Sequence, residues 1–121
     1  MVKYYRRKDK HEIRAQQIWP ILTAAAHNRQ ILTYKKLAQL IGIGGPLVLG
    51  TGPLARIAYY CIQNDLPPLT SLVVNEKTGL PGNGIPVKKS ATQRELVYNH
   101  PWFEIVAPTP DQLREAYLNA P

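Results

Sequence analysis

Ile31-Leu32-Thr33-Tyr34-Lys35-Lys36-Leu37-Ala38-Gln39-Leu40-Ile41-Gly42 carries a full set of signals for a short helix. Thr33 is a capping residue type, because its hydroxyl accepts a bond from an N–H that the first turn leaves orphaned. Leu37, Ala38 and Ile41 share one face, and Gly42 tolerates the left-handed conformation that ends a helix. The next stretch, Gly42 to Pro53, holds five glycines and two prolines and reads as a turn. Pro53 then occupies a favoured first helical position, with Thr51 or Gly52 as cap. That second helix runs through Leu54, Ile57, Ala58, Cys61 and Ile62 to Asn64, and its other face carries Arg56, Tyr59 or Tyr60, and Gln63.

Downstream, Pro67-Pro68 forces extended chain, Leu69 to Val74 reads as a strand and Asn75 to Gly79 as its turn. Leu80 to Val87, rich in glycine and proline, returns as an edge strand or loop. Residues 69–87 thus form a short two-stranded wing closed by Lys88-Lys89. Ser90 opens another helix, with Thr92 and Glu95 at capping-box spacing, and Pro101 lies beyond its end. Trp102 to Val106 is a short aromatic segment expected on the core, and Thr109-Pro110-Asp111 starts a last helix through Leu118.

Upstream, Ile13, Ile18, Ile21, Leu22 and Ala25 make a helical stripe from His11 to about Ala26, with Asn28 as its stop. Pro20 inside that stripe predicts a kink, or a helix that begins there. Residues 1–10 (Lys3, Arg6, Arg7, Lys8 and Lys10 around Tyr4-Tyr5) have no apolar period and read as a basic flexible arm, either solvated or phosphate-contacting. The expected architecture is mainly α with a small β wing: a winged helix-turn-helix domain with extra terminal helices. After the arm, 11–121 read as one domain, with its core at about 31–89 and a helical extension at 90–121.

Charge narrows the function. The chain of 121 residues has a formal net charge of +7 at pH 7. Through Lys89 there are thirteen Lys or Arg against four acids, and beyond it two against four, so the excess is concentrated in the first part. Such a field suits a polyanion, which leaves nucleic acid, an anionic surface or an acidic protein. No apolar run reaches the roughly 20 residues of a membrane span, and the first residues lack the apolar stretch of a secretory signal, so a cytoplasmic location is expected. A single cysteine, Cys61, neither forms an internal disulfide nor supplies a four-ligand zinc site. The glycine turn has no Gly-Lys-Ser/Thr ending and no strand leading in, which excludes a nucleotide-phosphate loop. No cofactor, metal or small-molecule substrate is expected.

The order helix, helix, glycine turn, helix, strand, turn, strand is that of a winged helix-turn-helix. Thr33-Tyr34-x-x-Leu37-Ala38 resembles the Thr-Tyr-Gly-x-Leu-Ala opening of the winged-helix domain of alkylguanine-DNA alkyltransferases and alkyltransferase-like proteins. Ala55-Arg56-Ile57-Ala58 is similar to their recognition-helix Ala-Arg-Ala-Val, and Asn64 to Val74 to the Asn-Pro-x-Pro stretch that leads into their active-site strand. The resemblance covers roughly residues 31–82. It implies that Tyr34 and Arg56 help rotate a nucleotide out of a duplex, as wedge and push; each also has an ordinary structural reading, as a half-buried ring and a solvated helix face.

The departures decide the chemistry. Aligned on Val73-Val74, the family's Pro-Cys-His-Arg falls on Leu69, Thr70, Ser71 and Leu72, so the nucleophile and its activating histidine are both missing. Cys61 lies in a helix with no histidine nearby in sequence, and Thr70 is a poor nucleophile without a base. The expected protein is therefore a non-catalytic DNA binder, with duplex as the expected form. Its candidate contacts are Tyr34, Lys35, Lys36 and Arg56, the wing residues Lys77, Lys88 and Lys89, and Arg6 and Arg7 of the arm. Transcriptional control, DNA-structure or lesion recognition and a mobile-element accessory role all remain open. So does a second register, with the recognition helix at 46–50 in place of 53–64. The rival reading is a protein-interaction module that turns its basic face to an acidic protein.

Overall fold

Residues 1–43, 49–77 and 90–121 are described by the computed structural model, the side chains of 90–92 excepted. Five α-helices and one two-stranded sheet lie in the described residues: α1 (His11–His27), β1 (Leu32–Thr33), α2 (Tyr34–Ile41), α3 (Ala55–Gln63), β2 (Val73–Val74), α4 (Ser90–Asn99) and α5 (Pro110–Leu118). None of those helices is long and apolar enough to cross a membrane.

α1 is the central element, in contact with α2, α3, α4 and α5. It runs unbroken through Pro20, whose ring sits on the exposed side, while Ile18, Trp19, Leu22, Ala25 and Ala26 are buried before and after it. The core contact on both sides of the proline keeps the helix continuous, so it does not begin at Pro20. Trp19 meets Trp102 edge-on at 5.8 Å and Tyr60 likewise at 5.8 Å, an arrangement that suits ring quadrupoles. Trp102 is further fixed by its indole N–H, which donates to Val97 O at 2.7 Å.

α2 forms as its sequence dictates. The Thr33 hydroxyl accepts from the Lys36 N–H at 3.0 Å, Leu37, Ala38 and Ile41 are buried, and Gly42 closes the helix at φ 72°. α3 is entered through a wide turn, Gly50–Leu54, in which the Leu54 N–H reaches back to Leu49 O at 2.9 Å. Neither Thr51 nor Gly52 acts as the expected cap of an intact first turn. A Cβ on Gly52 would lie 2.6 Å from the His11 ring, so that exposed side chain would have to shift. Of the apolar residues expected to face the core, Leu54, Ile57, Ala58 and Cys61 are buried, but Ile62 is half exposed.

The largest difference from expectation concerns the wing. Leu69–Leu72 is a 3-10 turn rather than strand, and only Val73–Val74 is extended. β2 pairs in parallel with β1, Leu32 opposite Val73 and Thr33 opposite Val74, so the strand joins the chain just before α2. The physical reason is burial: Leu69 to Val74 are all buried, so the segment is an interior rung instead of an exposed hairpin arm. The returning strand expected at 80–87 lies outside the described residues. α4, the Trp102–Glu104 turn and α5 complete the molecule, α5 with a capping box between Thr109 and Gln112. In the aromatic segment expected on the core, Trp102 is buried but Phe103 and Val106 are exposed.

Candidate nucleic-acid interface

Arg14 sets the geometry of the basic face. It lies on the buried stripe of α1, four residues before Ile18, and is only 6% exposed. Its guanidinium donates to Gln17 Oε1 at 2.8 Å, to Ile41 O at 3.0 Å and to Arg6 O at 2.7 Å. These bonds tie α1, the C-terminal end of α2 and the arm to one point. A cation there also complements the negative end of the α2 dipole. The arm lies against the body at this point and turns at Arg6–Asp9, where the Asp9 N–H donates to Arg6 O and the Asp9 carboxylate accepts from the Arg6 N–H. Sequence reasoning missed Arg14. The signal was available in its i, i+4 spacing to Ile18 and Leu22, which put it on the core face.

A cleft of about 460 Å³ opens where these pieces meet, between Lys3, Tyr4, Tyr5 and Arg7 of the arm, Arg14 and Gln17 of α1, and the end of α2. No acidic residue lines it. Arg6 and Arg7 are exposed, as are Lys35 and Lys36 at the other end of α2. The rise from Lys35 to Ile41 is about 9 Å at 1.5 Å per residue. Lys77 is exposed in the turn that follows β2, where its N–H donates to Asn75 Oδ1 at 2.9 Å. Lys88 and Lys89 lie outside the described residues, as does most of the alternative 46–50 register.

Arg56 is not the free arginine the helix pattern suggested. α5 packs along α3, and the Arg56 guanidinium sits 3.9 Å from the centroid of the Tyr117 ring. The same group donates to Gly52 O at 2.9 Å, and its buried Nε has no partner. Tyr34 is half-buried and packs against the core. The structure thus gathers the arm and the α2 end around one cleft, while Arg56 belongs to the α3–α5 contact. Among the described residues the ion pairs are Arg29–Glu95 at 2.7 Å and Arg114–Glu115 at 3.8 Å. None involves the arm, Lys35, Lys36 or Lys77.

Comparison with protein-family models, curated proteins and solved structures gave no match for this chain.

The chemistry available in the interior is limited. Cys61 is fully buried and desolvation pushes its thiol up to about 12, against a backbone hydrogen bond from the Leu69 side that pulls the other way. A thiol in that state is not a nucleophile at neutral pH. Tyr60 is also raised, by burial first and by Cys61 second. Thr70 and Ser71 are fully buried, and their hydroxyls have no hydrogen-bond partner. His11 abuts Gly52, His27 lies near Phe103 and His100 near Trp102. No group of three or more His, Cys, Asp or Glu able to hold a metal occurs among the described residues.

Proposed function

We propose that the chain is a non-catalytic DNA-binding protein of winged-helix type, related in the 31–82 region to the alkyltransferase-like proteins it resembles. The observation that carries this reading is the set of exposed, uncompensated cations: Arg6 and Arg7 on the arm and Lys35 and Lys36 at the head of α2. The arm and the lysine pair stand at opposite ends of α2, whose rise from Lys35 to Ile41 is about 9 Å. Phosphate contacts of this kind position a protein without reading sequence. Lys77, Lys88 and Lys89 would extend the contact from the wing region. Because Arg56 is stacked on Tyr117, the phosphate-binding load falls on α2 and the arm.

A salt titration of binding to a labelled duplex tests the reading. Affinity should fall steeply with salt, and a dissociation constant that stays level from low to physiological salt would count against it. That flat result would favour the second reading, a protein-interaction module. Its supporting observation is the exposed apolar pair Phe103 (63%) and Val106 (89%) in the C-terminal part.

A further inference from the structure

We infer that the cleft between the arm, α1 and the end of α2 is a site for single-stranded nucleic acid, seating a phosphate over Arg14 and an unpaired base on Tyr4 or Tyr5. The inference rests on the DNA-binding reading and specifies which form of nucleic acid this part of the surface takes. Its first support is a buried charge without a counter-ion. Arg14 is only 6% exposed, yet its three hydrogen bonds all go to neutral acceptors, a side-chain amide and two backbone carbonyls. A guanidinium has five N–H donors, so the protein leaves some of them for another acceptor. Burying such a charge is costly unless an anion compensates it, and the cleft wall adds Lys3 and Arg7 with no carboxylate.

The second support is the pair of tyrosines. Tyr4 is 82% exposed and Tyr5 45% exposed, although both line the cleft. Neither ring meets another aromatic ring or a guanidinium among the described residues. A basic groove that follows the backbone, with aromatic rings on which bases stack, is how proteins hold single strands without sequence preference. The faces of paired bases inside a duplex are already covered by their neighbours, so a tyrosine platform gains little there. The volume of about 460 Å³ falls in the range of sites that take a ligand of nucleotide size. The arm supplies the rest: its turn at Arg6–Asp9 and the Arg14 bond to Arg6 O place Tyr4, Tyr5 and Arg7 at the rim.

The test uses the full chain and two changes that leave its charge intact, Tyr4→Leu with Tyr5→Leu, and Tyr4→Phe with Tyr5→Phe. Binding is measured by anisotropy to an oligothymidylate and an oligouridylate of about 15 nucleotides, within the span of one such site, and to a hairpin duplex. The leucine variant should lose about tenfold or more in affinity for a single strand and keep its duplex affinity, and the phenylalanine variant should bind as the parent does. Tight binding of either strand supports the inference. An unchanged single-strand affinity in the leucine variant overturns it, as does a parent chain that binds duplex but neither single strand. A chain that binds no nucleic acid at all removes the DNA-binding reading and this inference together. Because both rings are at least partly exposed, the thermal midpoint of the leucine variant should match the parent and so exclude misfolding as the cause.

Discussion

Arg56 lies with its guanidinium 3.9 Å from the centroid of Tyr117, and this contact joins α3 to α5 across the face that a recognition helix would have to present. Tyr59 meets the same ring at 6.3 Å, and the Gln63 amide donates to Ala116 O at 2.8 Å, so the two helices are bonded along their whole contact. Arg56 thus acts first on stability. A partly desolvated cation–π contact contributes about 1–2 kcal/mol, and its hydrogen bond to Gly52 O adds to that, while the partnerless Nε subtracts.

Arg56→Ala should therefore lower the unfolding free energy by about 1–3 kcal/mol in urea titration. Tyr117→Leu keeps the apolar packing and should lose about 1 kcal/mol, the aromatic share alone. A double change no worse than Arg56→Ala would show that the two side chains act as one unit. A fully stable Arg56→Ala protein would mean that the arginine is solvated and available to a groove.

Arg14 is the corresponding point for the arm. Arg14→Met keeps the aliphatic stem but removes the bonds to Gln17, Ile41 O and Arg6 O. The carbonyl of Ile41 then loses its partner in a buried place, at a cost of about 1–3 kcal/mol. Limited trypsin digestion should cut after Arg6, Arg7 or Lys8 much faster in this variant than in the parent, because the arm no longer has its anchor. Equal cleavage rates would show that the arm is held by something other than Arg14.

How far the sequence carried the fold depends on whether local chemistry or tertiary contact decides each element. The α2 cap at Thr33, the stop at Gly42 and the Thr109 start of α5 were legible because each is a local bond between a side chain and a backbone group a few residues away. The partner of Val73–Val74 was not. A strand of two residues says nothing of which chain it joins, and its parallel pairing with Leu32–Thr33 is set by the burial of the whole 69–74 segment. The Tyr117 contact of Arg56 was hidden for the same reason: its helix position is local, but Tyr117 lies sixty-one residues further along the chain. The arm was legible as basic and as carrying Tyr4-Tyr5, yet the cleft it helps to form depends on Arg14, whose reach to Ile41 O no local pattern contains.

Cys61 gives a pH-dependent prediction. Its thiol is raised from 9.0 to about 12 in the folded chain, by desolvation first. The folded value lies above the unfolded one, so the unfolded chain releases the proton more readily. The stabilisation is complete below pH 9.0 and is lost as pH rises from there toward about 12. Tyr60, raised in the same direction, contributes over a window that begins at the ordinary tyrosine value of 10.0. Urea titrations should show stability declining above pH 9.0, less steeply in Cys61→Ala after correction for the tyrosines. A thiol reagent at pH 8 should leave the native chain unlabelled and label it promptly in denaturant, and rapid native labelling would contradict the buried, protonated state.

The last prediction concerns Lys35 and Lys36. Both are exposed at the first turn of α2, where positive charge opposes the helix dipole and costs a few tenths of a kcal/mol each. Replacing the pair by alanine should therefore leave the fold as stable as before or slightly more so. On the DNA-binding reading the same change removes two phosphate contacts. With roughly five contacts in the parent, the slope of log affinity against log salt should be near −4 to −5, and it should become shallower by about 1.8 in the variant. Affinity at low salt should drop alike on every duplex sequence, since lysines on phosphate carry no base information. The combination of raised stability and a shallower slope belongs to a binding surface kept against a folding cost. A variant whose slope stays at the parent value would place the nucleic-acid contacts elsewhere on the protein.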